Sequence, residues 1–125
     1  MSRVADLNKT MTQCGSPLWC APEVLEGKRY DGSCDVYSFA IIFYEILTWT
    51  EPFEELNVME MMIEVTKKRV RPPFPQDIPE ELRAIINSAW AHNPQDRYSF
   101  REISNLLQNY MDILDEDGSD DDNYN

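Results

Sequence analysis

The chain is poor in the residues from which metal centres, disulfide scaffolds and phosphate-cradling loops are built. It has three cysteines, Cys14, Cys20 and Cys34, and one histidine, His92, in 125 residues. None of the cysteines stands at Cys-x-x-Cys spacing, so no zinc-ligand pattern is present and no metal site is expected. A Cys14–Cys20 disulfide is compatible with the sequence, while thiols are the preferred reading of an odd count. Glycine is scarce, four in all, and neither Gly-x-Gly-x-x-Gly nor a loop ending in Gly-Lys-Ser/Thr occurs. Basic residues are also few: 11 Lys and Arg face 23 Asp and Glu, for a net charge of −12. With this acidic balance, the chain is not expected to bind a nucleic-acid backbone, which is held by clustered Lys and Arg. The longest apolar stretch, Val36 to Trp49, holds eleven apolar residues in fourteen and includes Glu45. A bilayer needs ~20, so no membrane partner is expected. Met1 to Thr12 lack the apolar run of a secretory signal. The expected setting is cytoplasmic, with a nuclear one equally compatible.

What is present divides unevenly. The last fourteen residues, from Asp112, hold seven acids and no base, which leaves residues 1–111 with 11 bases against 16 acids, a net of −5. At 42% hydrophobic and 11% aromatic, the chain as a whole is rich enough to fold. Its length suits one domain or part of a larger one.

Residues 1–32 are rich in Thr, Ser, Gly, Pro and Cys, show no helical period and read as an irregular loop. Residues 33–114 read as a helical unit. Val36, Phe39, Ala40, Phe43, Ile46 and Leu47 fall at helical spacing behind Ser33 as a prospective N-cap. Tyr37, Ile41, Ile42 and Tyr44 make the other faces apolar too, so this helix should be covered on every side. Asn57 begins a second helix with Glu60 at its third position, an apolar stripe of Val58, Met61, Met62 and Val65, and Lys67, Lys68 and Arg69 at its C-terminal end. Arg71-Pro72-Pro73-Phe74-Pro75 must be extended. A third helix follows Pro79 with Leu82, Ile85, Ile86, Ala89 and Trp90 on one face, and stops at Asn93-Pro94. A fourth begins at the Ser99-x-x-Glu102 capping box and presents Ile103, Leu106, Leu107 and Tyr110. The strand signal is weak throughout, and residues 115–125 read as an acidic, disordered tail. Glu54/Glu55 and Glu80/Glu81 are read as solvated helix-start charges rather than as acid–base pairs.

Four segments occurring in order carry a specific resemblance. Gly15-Ser16-Pro17-Leu18-Trp19-Cys20-Ala21-Pro22-Glu23 resembles the end of a protein-kinase activation segment. Asp35-Val36-Tyr37-Ser38-Phe39-Ala40 resembles the start of the central helix of the kinase C-lobe. Arg71-Pro72-Pro73 and Trp90-Ala91-His92-Asn93-Pro94-Gln95-Asp96-Arg97 resemble later landmarks of that lobe. The form of the first segment is closest to tyrosine-kinase-like Ser/Thr kinases. Ala40 stands where the family commonly has Gly, and Tyr98 where it commonly has Pro.

The resemblance implies a mainly α fold, the helical half of a protein-kinase-like domain without its N-lobe sheet. It implies a substrate floor at Gly15, Ser16, Pro17, Leu18 and Trp19, with Ser16 beside the catalytic Asp of the family. It also implies a buried ion pair between Glu23 and Arg97, an anchor for the catalytic loop at Asp35, and activation-loop phosphorylation at Thr10 or Thr12. Ser119, followed by three aspartates, is a further candidate phosphosite, for an acidophilic kinase. The family uses ATP and Mg²⁺ held by a Gly-rich loop, a Lys–Glu pair, a catalytic-loop Asp and Asn, and a metal-binding Asp. None of these motifs lies in the 125 residues, so no catalytic or cofactor-binding residue is assigned. The chain is expected to begin inside the activation segment and to be inactive alone. Its partners would be a protein substrate or the missing kinase portion. The alternatives are a non-catalytic interaction module, with the Met-rich second helix as a contact surface, or half of a split kinase completed by another chain. As part of a larger lobe, the chain should leave an apolar patch larger than about a few hundred Å² open on the first helix, and an independent module should not.

Overall fold

The computed structural model describes residues 17–122, with side chains through Glu116. A 3₁₀ turn at Pro17–Trp19 leads into α1 (Pro22–Leu25), where proline occupies the first helical position and its missing N–H costs nothing. The apolar run forms α2 (Ser33–Thr48). Its start departs from expectation. Ser33 is the first helical residue, Gly32 holds the cap position without a side chain to offer, and Asp31 just before it supplies the acceptor. The Asp31 carboxylate accepts from the Ser33 backbone N–H at 2.9 Å and from its Oγ at 2.6 Å. A carboxylate is the stronger acceptor there and also meets the positive end of the helix dipole. These hydrogen bonds hold the Asp31 carboxyl below its usual range.

Asn57 and Glu60 form a full capping box on α3 (Val58–Thr66), with Glu60 N to Asn57 Oδ1 at 2.8 Å and Asn57 N to Glu60 Oε1 at 3.0 Å. After α4 (Glu80–Ala89) and a second 3₁₀ turn at Pro94–Asp96, a matching box on Ser99 and Glu102 opens α5 (Phe100–Asp122). Among the described residues there is no strand, and the fold is helical as the sequence predicts.

The expected order ends at Leu114, whereas α5 runs on to Asp122. Ile113 and Leu114 are in fact half-exposed.

The core gathers around α2. It packs on α4 and on the first 3₁₀ turn, α1 lies on α3, and α4 touches α5. Tyr37, Ala40 and Ile41 from α2 meet Ile85, Ile86, Ala89 and Trp90, all buried. The proline-rich connector is pinned by an aromatic cluster. Tyr44, Phe74 and Trp90 stand 5.5–5.7 Å apart, and the Tyr44 hydroxyl donates to the Pro73 carbonyl at 2.5 Å.

Candidate functional site

Arg97 gathers the ends of three segments. Its Nη1 and Nη2 donate to the two Glu23 carboxylate oxygens at 2.7 and 2.8 Å, a fork-to-fork pair with both side chains buried. The remaining donors reach backbone carbonyls: Nε to Ala91 at 2.8 Å, Nη1 to Ser33 at 3.1 Å and Nη2 to His92 at 3.3 Å. All five guanidinium N–H groups thus have acceptors. One side chain joins α1, the start of α2 and the connector after α4. A buried pair of this kind owes its tolerance to that complete pairing, because an unmatched charge in the same place would be strongly destabilising.

Beside it lies a second arrangement that local spacing does not show. The buried Tyr37 ring sits between two guanidinium groups, with Arg71 5.2 Å and Arg97 5.4 Å from its centroid. Arg71 is fixed by Nε donating to the Trp90 carbonyl at 2.8 Å and Nη1 donating to Val70 at 3.0 Å and Val65 at 3.3 Å. Burial lowers the Arg71 pKa. Burial pushes the Tyr37 phenol up to about 12, against the opposing pull of the two arginines. The Tyr37 hydroxyl is buried without a hydrogen-bond partner among the described residues. His92 Nδ1 is in the same condition, and burial first, then the nearby Arg69 and Arg71 charges, lower the His92 pKa.

The segment implied as a substrate floor is anchored from α2. Ser38 Oγ donates to the Trp19 carbonyl at 2.5 Å, and Trp19 Nε1 donates to Glu45 Oε1 at 2.7 Å. Leu18 and Trp19 are half-buried against the core, and Pro17 begins the turn that carries them. Sequence reasoning missed both anchors. Glu45 registers only as a charge inside an apolar run, and its partner lies 26 residues away.

Asp35 occupies the first turn of α2 with an exposed carboxylate, and the Cys34 thiol stands 3.8 Å from its Oδ1. Its side chain is therefore available to accept hydrogen bonds. Thr10, Thr12, Cys14, Gly15, Ser16 and the Ser119 side chain lie outside the described residues. Among the described residues, no group of three His, Cys, Asp or Glu comes together to hold a metal ion. No helix among them is long and apolar enough to cross a membrane.

Comparison with known proteins gives one family. Residues 1–107 match the protein tyrosine and serine/threonine kinase family. A putative serine/threonine-protein kinase/receptor of Acanthamoeba polyphaga mimivirus is 37% identical over 106 residues, which cover 85% of this chain and 6% of the viral protein. A probable LIM domain-containing serine/threonine-protein kinase of Dictyostelium discoideum is 38% identical over 114 residues, covering 90% of this chain and 17% of that protein. A dual specificity protein kinase of the same organism is 44% identical over 90 residues, covering 71% of this chain and 12% of that protein. The chain thus spans well under a fifth of the length of these relatives.

Proposed function

The chain belongs to the protein tyrosine and serine/threonine kinase family, and from that premise we propose that it forms the peptide-facing, helical side of a Ser/Thr protein kinase. Its role is to hold the segment ending at Trp19 as a floor for a protein substrate in a signalling reaction in the cytoplasm. The supporting observation is the tether. Glu23, four residues beyond Trp19, is locked by Arg97 to the start of α2 and to the connector after α4. Ser38 and Glu45 then fix Trp19 itself from the same helix. A floor whose C-terminal end is held at Trp19 and again at Glu23 is preorganised there, which lowers the cost of ordering it on a bound peptide.

The described residues do not fit ATP–Mg²⁺. They offer neither a set of metal-ligating side chains nor a glycine-rich phosphate loop. No step of phosphoryl transfer is assigned to them, and on this reading the groups that bind nucleotide are proposed to lie on other polypeptide. Asp35, with its exposed carboxylate at the start of α2, is the residue proposed to anchor that polypeptide. Thr10 and Thr12 are proposed as phosphorylation sites that would order the preceding loop, each phosphate adding nearly two negative charges.

The test is phosphoamino-acid analysis after incubation with γ-labelled ATP. The protein carrying this segment joined to a nucleotide-binding half should label Ser and Thr of a protein substrate, and the 125-residue chain alone should label nothing. Labelling of tyrosine alone would overturn the Ser/Thr assignment. Transfer by the isolated chain would overturn the division of labour.

A further inference from the structure

Charge is segregated along this chain in a way the tether does not use. Residues 30–66 contain eight acids and no Lys or Arg. Several of those acids are committed: Asp31 accepts from Ser33 at the start of α2, Glu45 binds Trp19, Glu60 closes the α3 capping box and Glu64 pairs with Lys68. Glu51 and Glu54 are exposed and have no ion-pair partner among the described residues.

These two carboxylates rim a groove of about 150 Å³ between the 3₁₀ turn, the loop after α2 and the start of α3. Its apolar lining is Leu18, Phe53, Leu56, Val58 and Met61, and no basic residue contributes to it. Val58 is 53% exposed at the mouth, and the adjacent Met59 is 70% exposed. An apolar slot with an acidic margin discriminates by charge as well as by shape, because an acidic partner would meet like charge.

We propose that this groove docks a peptide segment that places an apolar side chain in the slot and a Lys or Arg against Glu51 and Glu54. The occupant is taken to be the protein substrate, and in that respect the inference rests on reading Leu18 as part of a peptide floor. Leu18 belongs to both surfaces, so a peptide lying on the floor continues into the groove without leaving the chain. The groove's own residues thereby give the substrate a chemistry: basic, with an apolar anchor.

The experiment is fluorescence anisotropy with the full chain, without nucleotide, and three labelled peptides: Lys/Arg-rich with a Leu, the same with Leu replaced by Ser, and Asp/Glu-rich with the Leu. The first should bind at least about fivefold tighter than either other, and binding should fade near 1 M salt, where the Debye length is ~3 Å. Charge reversal by Glu51→Lys with Glu54→Lys should remove the preference, and Val58→Asp should weaken binding of the first peptide, with circular dichroism unchanged in both. Equal or tighter binding of the acidic peptide, or indifference to both variants, overturns the proposal. Sedimentation showing a dimer that Val58→Asp dissolves also overturns it, by making the groove a contact between copies. Because ATP is absent, failed binding is distinguishable from failed phosphoryl transfer: either reading can fall while the other stands.

Discussion

The two ends of α2 are completed in opposite ways. At its start, Tyr37 is enclosed between Arg71 and Arg97, and Arg97 spends every donor on Glu23 and three backbone carbonyls. Toward its end, Ile42, Ile46 and Trp49 stand 42%, 62% and 92% exposed, and Trp49 closes the helix in the left-handed region at φ 56°. The first end is closed by this chain's own residues. On the second, the described residues leave large apolar side chains in water, the kind of surface that marks an interaction site. The helix therefore joins a self-sufficient polar lock to a face that the described residues leave open. Its all-round apolar composition had suggested cover on every side. The other described helices lie against only some of its faces.

Breaking the lock should have the largest effect. Arg97→Ala strands the buried Glu23 carboxylate and should cost ~3–5 kcal/mol in urea unfolding, while Glu23→Gln, which leaves a neutral acceptor, should cost less. A loss under about 1 kcal/mol for Arg97→Ala would place the lock outside the folded core.

The same end should respond to alkaline pH. The Tyr37 phenol is raised by burial from 10.0 to about 12. A raised acid favours the folded state below its unfolded value, and that stability is lost as pH climbs through the folded value. Stability should therefore fall between about pH 10 and 12, by roughly 2–3 kcal/mol for a two-unit shift. Tyrosinate absorbance should show one of the six tyrosines ionising only with unfolding. Tyr37→Phe should abolish this late step, and by removing an unpaired buried hydroxyl it should leave neutral-pH stability unchanged or slightly higher.

A smaller, local loss should come from the capping box. Asn57→Ala should cost about 1 kcal/mol, read by the same unfolding experiment. The open end should be the least sensitive. Ile46→Asp should change stability by less than about 0.5 kcal/mol while reducing binding of a hydrophobic dye. A cost of several kcal/mol there would mean that the face is covered after all, and the contrast between the two ends would disappear.

Much of the helical layout was legible from residues close together in the chain. The buried face of α4 reads directly from Leu82, Ile85, Ile86, Ala89 and Trp90. The capping boxes at Asn57/Glu60 and Ser99/Glu102 read from a three-residue offset. Local pattern offers Ser33, the nearest hydroxyl, as the cap of α2, whereas Gly32 holds that position and the Asp31 carboxylate accepts from the Ser33 N–H.

Family resemblance, rather than spacing, pointed to the pairing of Glu23 with Arg97. The anchoring of Trp19 by Ser38 and Glu45, and the placing of Tyr37 between two arginines, came from neither. By itself the sequence determined where the four longer helices lie, which faces are apolar and how charge is distributed, since those follow from interactions three or four residues apart. Only the tertiary structure decided what the polar side chains inside do. Glu23 and Arg97 lie 74 residues apart, and no local period encodes an acceptor that packing alone brings within reach of a donor.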